Sequence, residues 1–171
     1  MNQIKYILTL FLILNINNLV AQEKIGWKEV YTADHNDLTY KISNDEIFTG
    51  IVQWKHKNGH LKYEEEYKNG IILCSNLYYN GKEKRVSNKT IYNPNKPSVL
   101  LKEHKYSLEN EIFETTTYND DGIKILVEQF TNGKLTYSCE YLNKKKHGKE
   151  FCYAKNGESI TVHYKNGRKI K

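Results

Sequence analysis

The sequence predicts an all-β fold, a twisted antiparallel β-meander built from hairpin repeats. Three observations carry the prediction. Asn-Gly recurs at 58–59, 69–70, 80–81, 132–133, 156–157 and 166–167, and Asp121-Gly122 and His147-Gly148 occupy similar places. Aromatic residues keep a parallel beat, with Trp54, Tyr67, Tyr79, Tyr92, Tyr106, Tyr118, Phe130, Tyr141, Tyr153 and Tyr164 spaced 11 to 14 residues apart. Between the turns apolar and polar residues alternate: Leu61, Tyr63 and Tyr67 point one way, and Lys62, Glu64 and Glu66 the other. Asn and Gly both tolerate φ > 0, which a type I′ hairpin turn requires at its two central residues. No 3.6-residue period is visible after residue 22.

The first element, residues 1–21, reads as a secretory signal peptide. Lys5 is its only charged side chain, an apolar run spans Ile7 to Leu14, and the predicted cut follows Ala21. The run is too short to span a bilayer, which takes about 20 apolar residues, and no later stretch would do so. The expected location is therefore a periplasm or the cell exterior. Loss of Lys5 leaves the mature chain one unit below the full-length net charge of +6. Residues 22–47 are less regular and read as an N-terminal capping segment, with short strands around Trp27–Tyr31 and Leu38–Ile42.

Residues 48–171 form the repeat domain. Strands are expected near 48–56, 60–67, 71–79, 84–92, 99–107, 111–119, 123–130, 134–142, 149–155 and 158–165. The segment 93–98 holds both prolines of the chain. Because Pro cannot donate to a ladder, it is the candidate break between two blocks of sheet. Composition fits: 14 Tyr, 5 Phe and 2 Trp among 171 residues exclude a low-aromatic disordered chain, and 3 Cys exclude a disulfide-dense mini-protein.

Tyr67-Lys-Asn-Gly70, Tyr79-Asn-Gly81, His147-Gly148-Lys149, Tyr153-Ala-Lys-Asn-Gly157 and Tyr164-Lys-Asn-Gly167 resemble MORN-variant repeats. Phe48-Thr49-Gly50 resembles the opening of exported bacterial members, a group named as the toxin–antitoxin system YwqK family antitoxins. The resemblance covers about residues 38–171 and is strongest at 48–82 and 130–171. It implies a β-meander of hairpin repeats and, through the family label, an antitoxin or immunity-type inhibitor whose partner is a toxin.

The residues themselves offer no catalytic set, so the chain reads as non-enzymatic, with no cofactor and no metal. His56 and His60 flank one turn but lack a third ligand in the sequence pattern, and Asp120-Asp121-Gly122 lacks the rest of a calcium loop. The expected function is a non-catalytic exported protein-binding or scaffold module of the cell envelope, with the antitoxin as the alternative. The candidate contact residues are Tyr137, Tyr153 and Tyr164 with the basic run Lys144, Lys145 and Lys146, since tyrosine anchors are common in interfaces. Export argues against nucleic acid and for an acidic protein or anionic surface. Finally, Cys139 and Cys152 flank the turn at 143–147. If the flanking strands place them directly opposite, they can form a disulfide, while Cys74 stays alone.

Overall fold

The computed structural model describes residues 22–170; the signal-peptide reading of residues 1–21 lies outside them. The strands are β1 (Lys24–Gly26), β2 (Val30–Thr32), β3 (Thr39–Lys41), β4 (Gly50–Lys55), β5 (Leu61–Lys68), β6 (Ile71–Tyr78), β7 (Val86–Tyr92), β8 (Leu100–Tyr106), β9 (Ile112–Tyr118), β10 (Lys124–Thr131), β11 (Lys134–Leu142), β12 (Lys145–Tyr153), β13 (Ser159–Lys165) and β14 (Arg168–Ile170). A 3₁₀ turn covers Trp27–Glu29. Among the described residues no helix is long and apolar enough to cross a membrane.

Twelve strands form one open sheet in the order β1, then β4 through β14 in sequence, without closure into a barrel; β2 and β3 pair separately. The sheet is mixed. All neighbours from β4 onward are antiparallel, but β1 lies parallel to β4, with Ile25 opposite Val52. The ten expected strands each appear, with shifted ends. The largest shift is at β12, which begins at Lys145 because its turn is only Asn143-Lys144.

The candidate break at 93–98 is not a break. β7 and β8 pair directly, with Ile91 opposite Lys102. Both prolines sit in the connecting turn, outside the ladder, so their missing donors cost no strand pairing. Asn93 organises that turn instead: its backbone N–H donates to Val99 O at 2.7 Å and its Oδ1 accepts from Asn95 N at 2.9 Å.

Five of the six Asn-Gly turns are of two kinds; at Asn80-Gly81, against expectation, neither residue has positive φ. At Asn69-Gly70, Asn132-Gly133 and Asn166-Gly167 both residues have positive φ, the type I′ pattern. At Asn58-Gly59 and Asn156-Gly157 only the glycine is left-handed. Those loops are longer, and the Asn side chain accepts a backbone N–H two residues on, from His60 and Glu158 respectively, at 3.1 Å.

The aromatic beat marks something the sequence did not disclose. Eight consecutive pairings, from β4·β5 to β11·β12, each contain a register shift, and each shift sits beside a beat aromatic: Trp54, Tyr67, Tyr78, Tyr92, Tyr106, Tyr118, Phe130 and Tyr141. Only the third departs from the expected position, by one residue. A bulge bends its strand and increases local twist, so the repeat is a strand, a bulge with an aromatic, and a turn.

The true core is small. Phe48, Val52 and Tyr67 are buried, with Ile25, Val30 and Ile72 packed against them. The N-terminal segment closes over this end of the sheet: Thr39 N donates to Gly70 O at 2.9 Å, and Gly70 N to Phe48 O at 2.7 Å. A Cβ on Gly70, at φ +75°, would lie 3.1 Å from Leu38 Cβ and from Thr39 O, whereas one on Gly59, at φ +83°, meets nothing within 4 Å. Gly59→Ala is expected to cost about 1 kcal/mol of left-handed strain alone, and Gly70→Ala about 3 kcal/mol because overpacking adds to it. Urea denaturation of the two variants checks this; equal costs would mean the N-terminal segment does not pack on the 69–70 turn.

Candidate functional site

The cross-strand register sorts the expected contact residues onto two faces. Tyr137 lies opposite Cys152, Cys139 opposite Glu150, and Tyr141 opposite Lys146. Directly opposed residues share a face, and strand residues alternate. Tyr137, Cys139, Tyr141, Lys146, Glu150 and Cys152 therefore share one face, together with Val162 and Tyr164 from β13. Tyr153, Lys145, Lys165 and Arg168 belong to the other.

On the first face three of the six expected residues meet at a fourth, Glu150. Tyr137 donates its hydroxyl to Glu150 Oε1 at 2.9 Å, and the Lys146 ammonium pairs with the same oxygen. Lys146 Nζ also stands 5.2 Å from the centre of the Tyr164 ring, within cation–π range. The bond from Lys146 holds the Glu150 carboxyl below the ordinary range against the opposing push of burial, with the tyrosine hydroxyls adding to it. Glu150 in turn raises Lys146. Burial first, then the Cys139 thiol and Glu150, push the Tyr137 phenol up. Tyr137, Lys146 and Tyr164 are therefore partners of one another rather than free contact groups.

This is one case of a recurring device. Glu65 accepts from Tyr63 at 3.1 Å and from Tyr67 at 2.8 Å, and Glu103 accepts from Tyr118. Glu65, Glu103 and Glu150 fall in one continuous cross-strand row, running from Val52 to Val162. On the opposite face Glu64, 5% exposed, accepts from Tyr78 and Gln53 and pairs with Lys84 at 2.7 Å. Burial pushes the Glu64 carboxyl up, but those three bonds together bring it below its usual value. Sequence reasoning missed Glu150. The signal available was Glu65, an acid on the aromatic side of its strand.

The second face presents what the first keeps tied. Tyr153 is 52% exposed and stacks edge-on against Phe151 with ring centres 5.1 Å apart. Lys145, Lys165, Asn166, Arg168 and Ile170 line a shallow depression of about 480 Å³. Lys144 sits in the adjoining turn at φ 64°, a position that glycine takes in the other two-residue turns. Residues 143–171 hold nine basic and two acidic side chains, a balance of +7 against +6 for the whole chain. The positive charge is thus a property of the C-terminal end.

The expected Cys139–Cys152 bridge does not form. Cys152 faces Tyr137, two residues from opposition to Cys139, and all three cysteines are free. Such diagonal neighbours stand about 7–8 Å apart, beyond disulfide reach. The offset arises at the turn, which is only Asn143-Lys144 rather than 143–147; the bulge, where His147-Gly148-Lys149 on β12 answers Glu140 alone on β11 and Lys149 N donates to Glu140 Oε2 at 2.8 Å, recovers two residues of it. His60 Nδ1 lies 3.0 Å from Asn80 Oδ1, and among the described residues no three His, Cys, Asp or Glu side chains group as metal ligands.

No family model matches the chain, and no curated protein matches it in sequence. Solved structures similar to part of it include a mutant of S. aureus TarM in complex with fondaparinux, α-GlcNAc-glycerol and UDP, at 8% identity and TM-score 0.43, covering 70% of this chain and 21% of that one. Another is the GtfA/B complex bound to UDP and GlcNAc, at 13% identity and TM-score 0.35, covering 84% of this chain and 27% of that one. The chain thus spans about a quarter or less of the length of these proteins, and likenesses this low carry no argument about its activity.

Two measurements test the site. Glu150→Gln is expected to lower stability at pH 7 by about 1–2 kcal/mol, the scale of a hydrogen bond to a charged group. Because the folded carboxyl titrates below its unfolded value, that contribution is present above about pH 4.5 and fades as pH falls through the depressed folded value. Wild-type and variant urea midpoints should therefore converge in acid; a constant gap would remove the Lys146–Glu150 pair as its source. Lys144→Gly should raise stability by about 1 kcal/mol by relieving the left-handed lysine, read from the same curves.

Proposed function

We propose that the chain is a non-catalytic, exported binding module of the cell envelope, built from MORN-variant-like hairpin repeats. The observation that carries the reading is the open sheet itself. Among the described residues fifteen large apolar or aromatic side chains are at least 37% exposed, against five buried apolar residues. A sheet of one layer presents far more surface to a partner than it keeps for its own core, and repeat architectures use such surfaces for binding. The contact surface is the face bearing Tyr153 and the cations Lys145, Lys165 and Arg168, which have no ion pair among the described residues, with Lys144 at its rim. A toxin bound there would make the protein an antitoxin, as the resemblance implies.

The test is recovery of partners by tagged mature protein from its own envelope fraction, comparing wild type with Tyr153→Ser and with Tyr137→Phe. Tyr153→Ser should lose at least half of any specifically recovered protein. Tyr137→Phe, which alters only the tied face, should keep it. Empty recovery at low salt, or loss with Tyr137→Phe alone, would falsify the assignment of the contact face.

A further inference from the structure

We propose that the depression between the last two turns binds a multiply charged phosphate-bearing ligand. Lys165 on β13 lies directly opposite Arg168 on β14. Like charges in direct opposition across a hairpin repel and destabilise it. A third cation, Lys145, lies alongside: a Cβ on Gly167 would stand 3.8 Å from Lys145 Cβ and 3.9 Å from its Cδ. The β12 and β13–β14 turns are fastened together by Gly167 N donating to Lys146 O at 2.8 Å. That bond sets Lys145, Lys165 and Arg168 around one hollow rather than on separate loops.

Among the described residues nothing in the hollow offsets these charges. Its remaining lining is Asn166 and Ile170, and it contains no acid. Six described cations, Lys41, Lys84, Arg85, Lys96, Lys105 and Lys146, have a carboxylate within ion-pair distance; Lys145, Lys165 and Arg168 belong to the larger group of described lysines and arginines that have none, and are set apart by converging on one hollow. Among the cross-strand neighbours on the same face, Leu142 opposite Lys145 is neutral and His163 stands opposite both Lys149 and Ile170, while the one acid of β11, Glu140, accepts from Lys149 N at the bulge and does not line the hollow. An oxyanion in the hollow would turn a repulsive pair into a bridged one. Arg168 can grip a phosphate by two parallel N–H bonds, and two lysines supply point charges for further oxygens. Three cations around about 480 Å³ suit a ligand with two or more phosphate charges better than a single carboxylate. The same chemistry is offered by a soluble phosphate ester and by a phospholipid headgroup.

This inference names a ligand class for the basic end of the face assigned above. It can stand if that assignment fails, because its probe is inorganic pyrophosphate and its variants leave Tyr153 intact. Titration calorimetry of purified residues 22–171 with pyrophosphate should show one saturable site that weakens at least tenfold between 50 and 200 mM salt. Lys145→Ser with Arg168→Ser should weaken it at least tenfold, while Lys102→Ser, outside the hollow, leaves it unchanged. Lys165→Ser adds a readout of folding: the free protein should unfold at the same or higher temperature than wild type, yet lose the stabilisation that pyrophosphate confers. Vesicles with and without phosphatidylglycerol distinguish the sources. Co-sedimentation with the anionic vesicles supports a headgroup, and pyrophosphate binding without it supports a soluble ligand. Absence of pyrophosphate binding at 50 mM salt, or binding indifferent to Lys145 and Arg168, overturns the proposal. So does equal affinity for a glutamate peptide of matching charge, which would point to an acidic protein instead.

Discussion

A sheet with nothing behind it must protect its own surface. In most β domains a second layer covers the inner face and supplies the core. Here only the N-terminal segment provides such cover, and it reaches only the first strands, where Phe48, Val52 and Tyr67 are buried. From β7 to β13 each strand has neighbours on its two edges, β14 has one, and among the described residues none has a layer to pack on. The bulge beside each beat aromatic answers this constraint. It breaks the strict alternation at the strand end, adds twist, and keeps the ladder from lying flat. A long flat sheet with exposed Ile, Leu and Phe would be prone to edge-to-edge aggregation. A bulge in eight successive pairings opposes that flatness along most of the molecule.

The same constraint explains why tyrosine outnumbers phenylalanine by 14 to 5. On a half-covered surface an aromatic ring buries its body against neighbouring strands while its hydroxyl needs a partner. The row of Glu65, Glu103 and Glu150 supplies partners at intervals across the sheet. A carboxylate is acceptor-only when ionised and can take several donors, so one Glu ties two tyrosines, or a tyrosine and a lysine. Removing an acid would leave hydroxyls unpaired where water reaches them only partly, which is why these acids sit on the aromatic side of their strands.

Local order was legible in the sequence because it is set by short-range rules. Turn residues at fixed spacing gave ten of the eleven strands from β4 to β14, missing only β14, and Asn-Gly gave the left-handed turns at 69–70, 132–133 and 166–167. What was not legible depends on register. A shift of one or two residues changes which side chains meet, and no local pattern announces it. The two-residue turn at Asn143-Lys144 carried Cys152 out of opposition to Cys139, which removed the disulfide, and the extra residues at His147-Gly148-Lys149 then set Glu150 opposite Cys139, which created the Glu150 cluster. The parallel β1 was equally hidden, since its three residues pair with β4 across a 27-residue interval that no periodicity spans. The prolines misled for a related reason: their effect depends on whether they stand in the ladder or beside it.

The two ends of the sheet are consequently built for different tasks. At the first, the N-terminal segment supplies a second layer and the buried core. At the last, the pairings β12·β13 and β13·β14 carry no bulge, most of β13 and all of β14 are exposed, and the net positive charge is concentrated. A like-charge pair such as Lys165 and Arg168 is tolerable there because water screens it; inside the core the same pair would cost several kcal/mol. The short edge strand with its cations also resists addition of a further strand. The charge that guards this edge against another sheet is the charge that would attract an anion. Protection from misassembly and recognition of a ligand can therefore rest on the same three side chains.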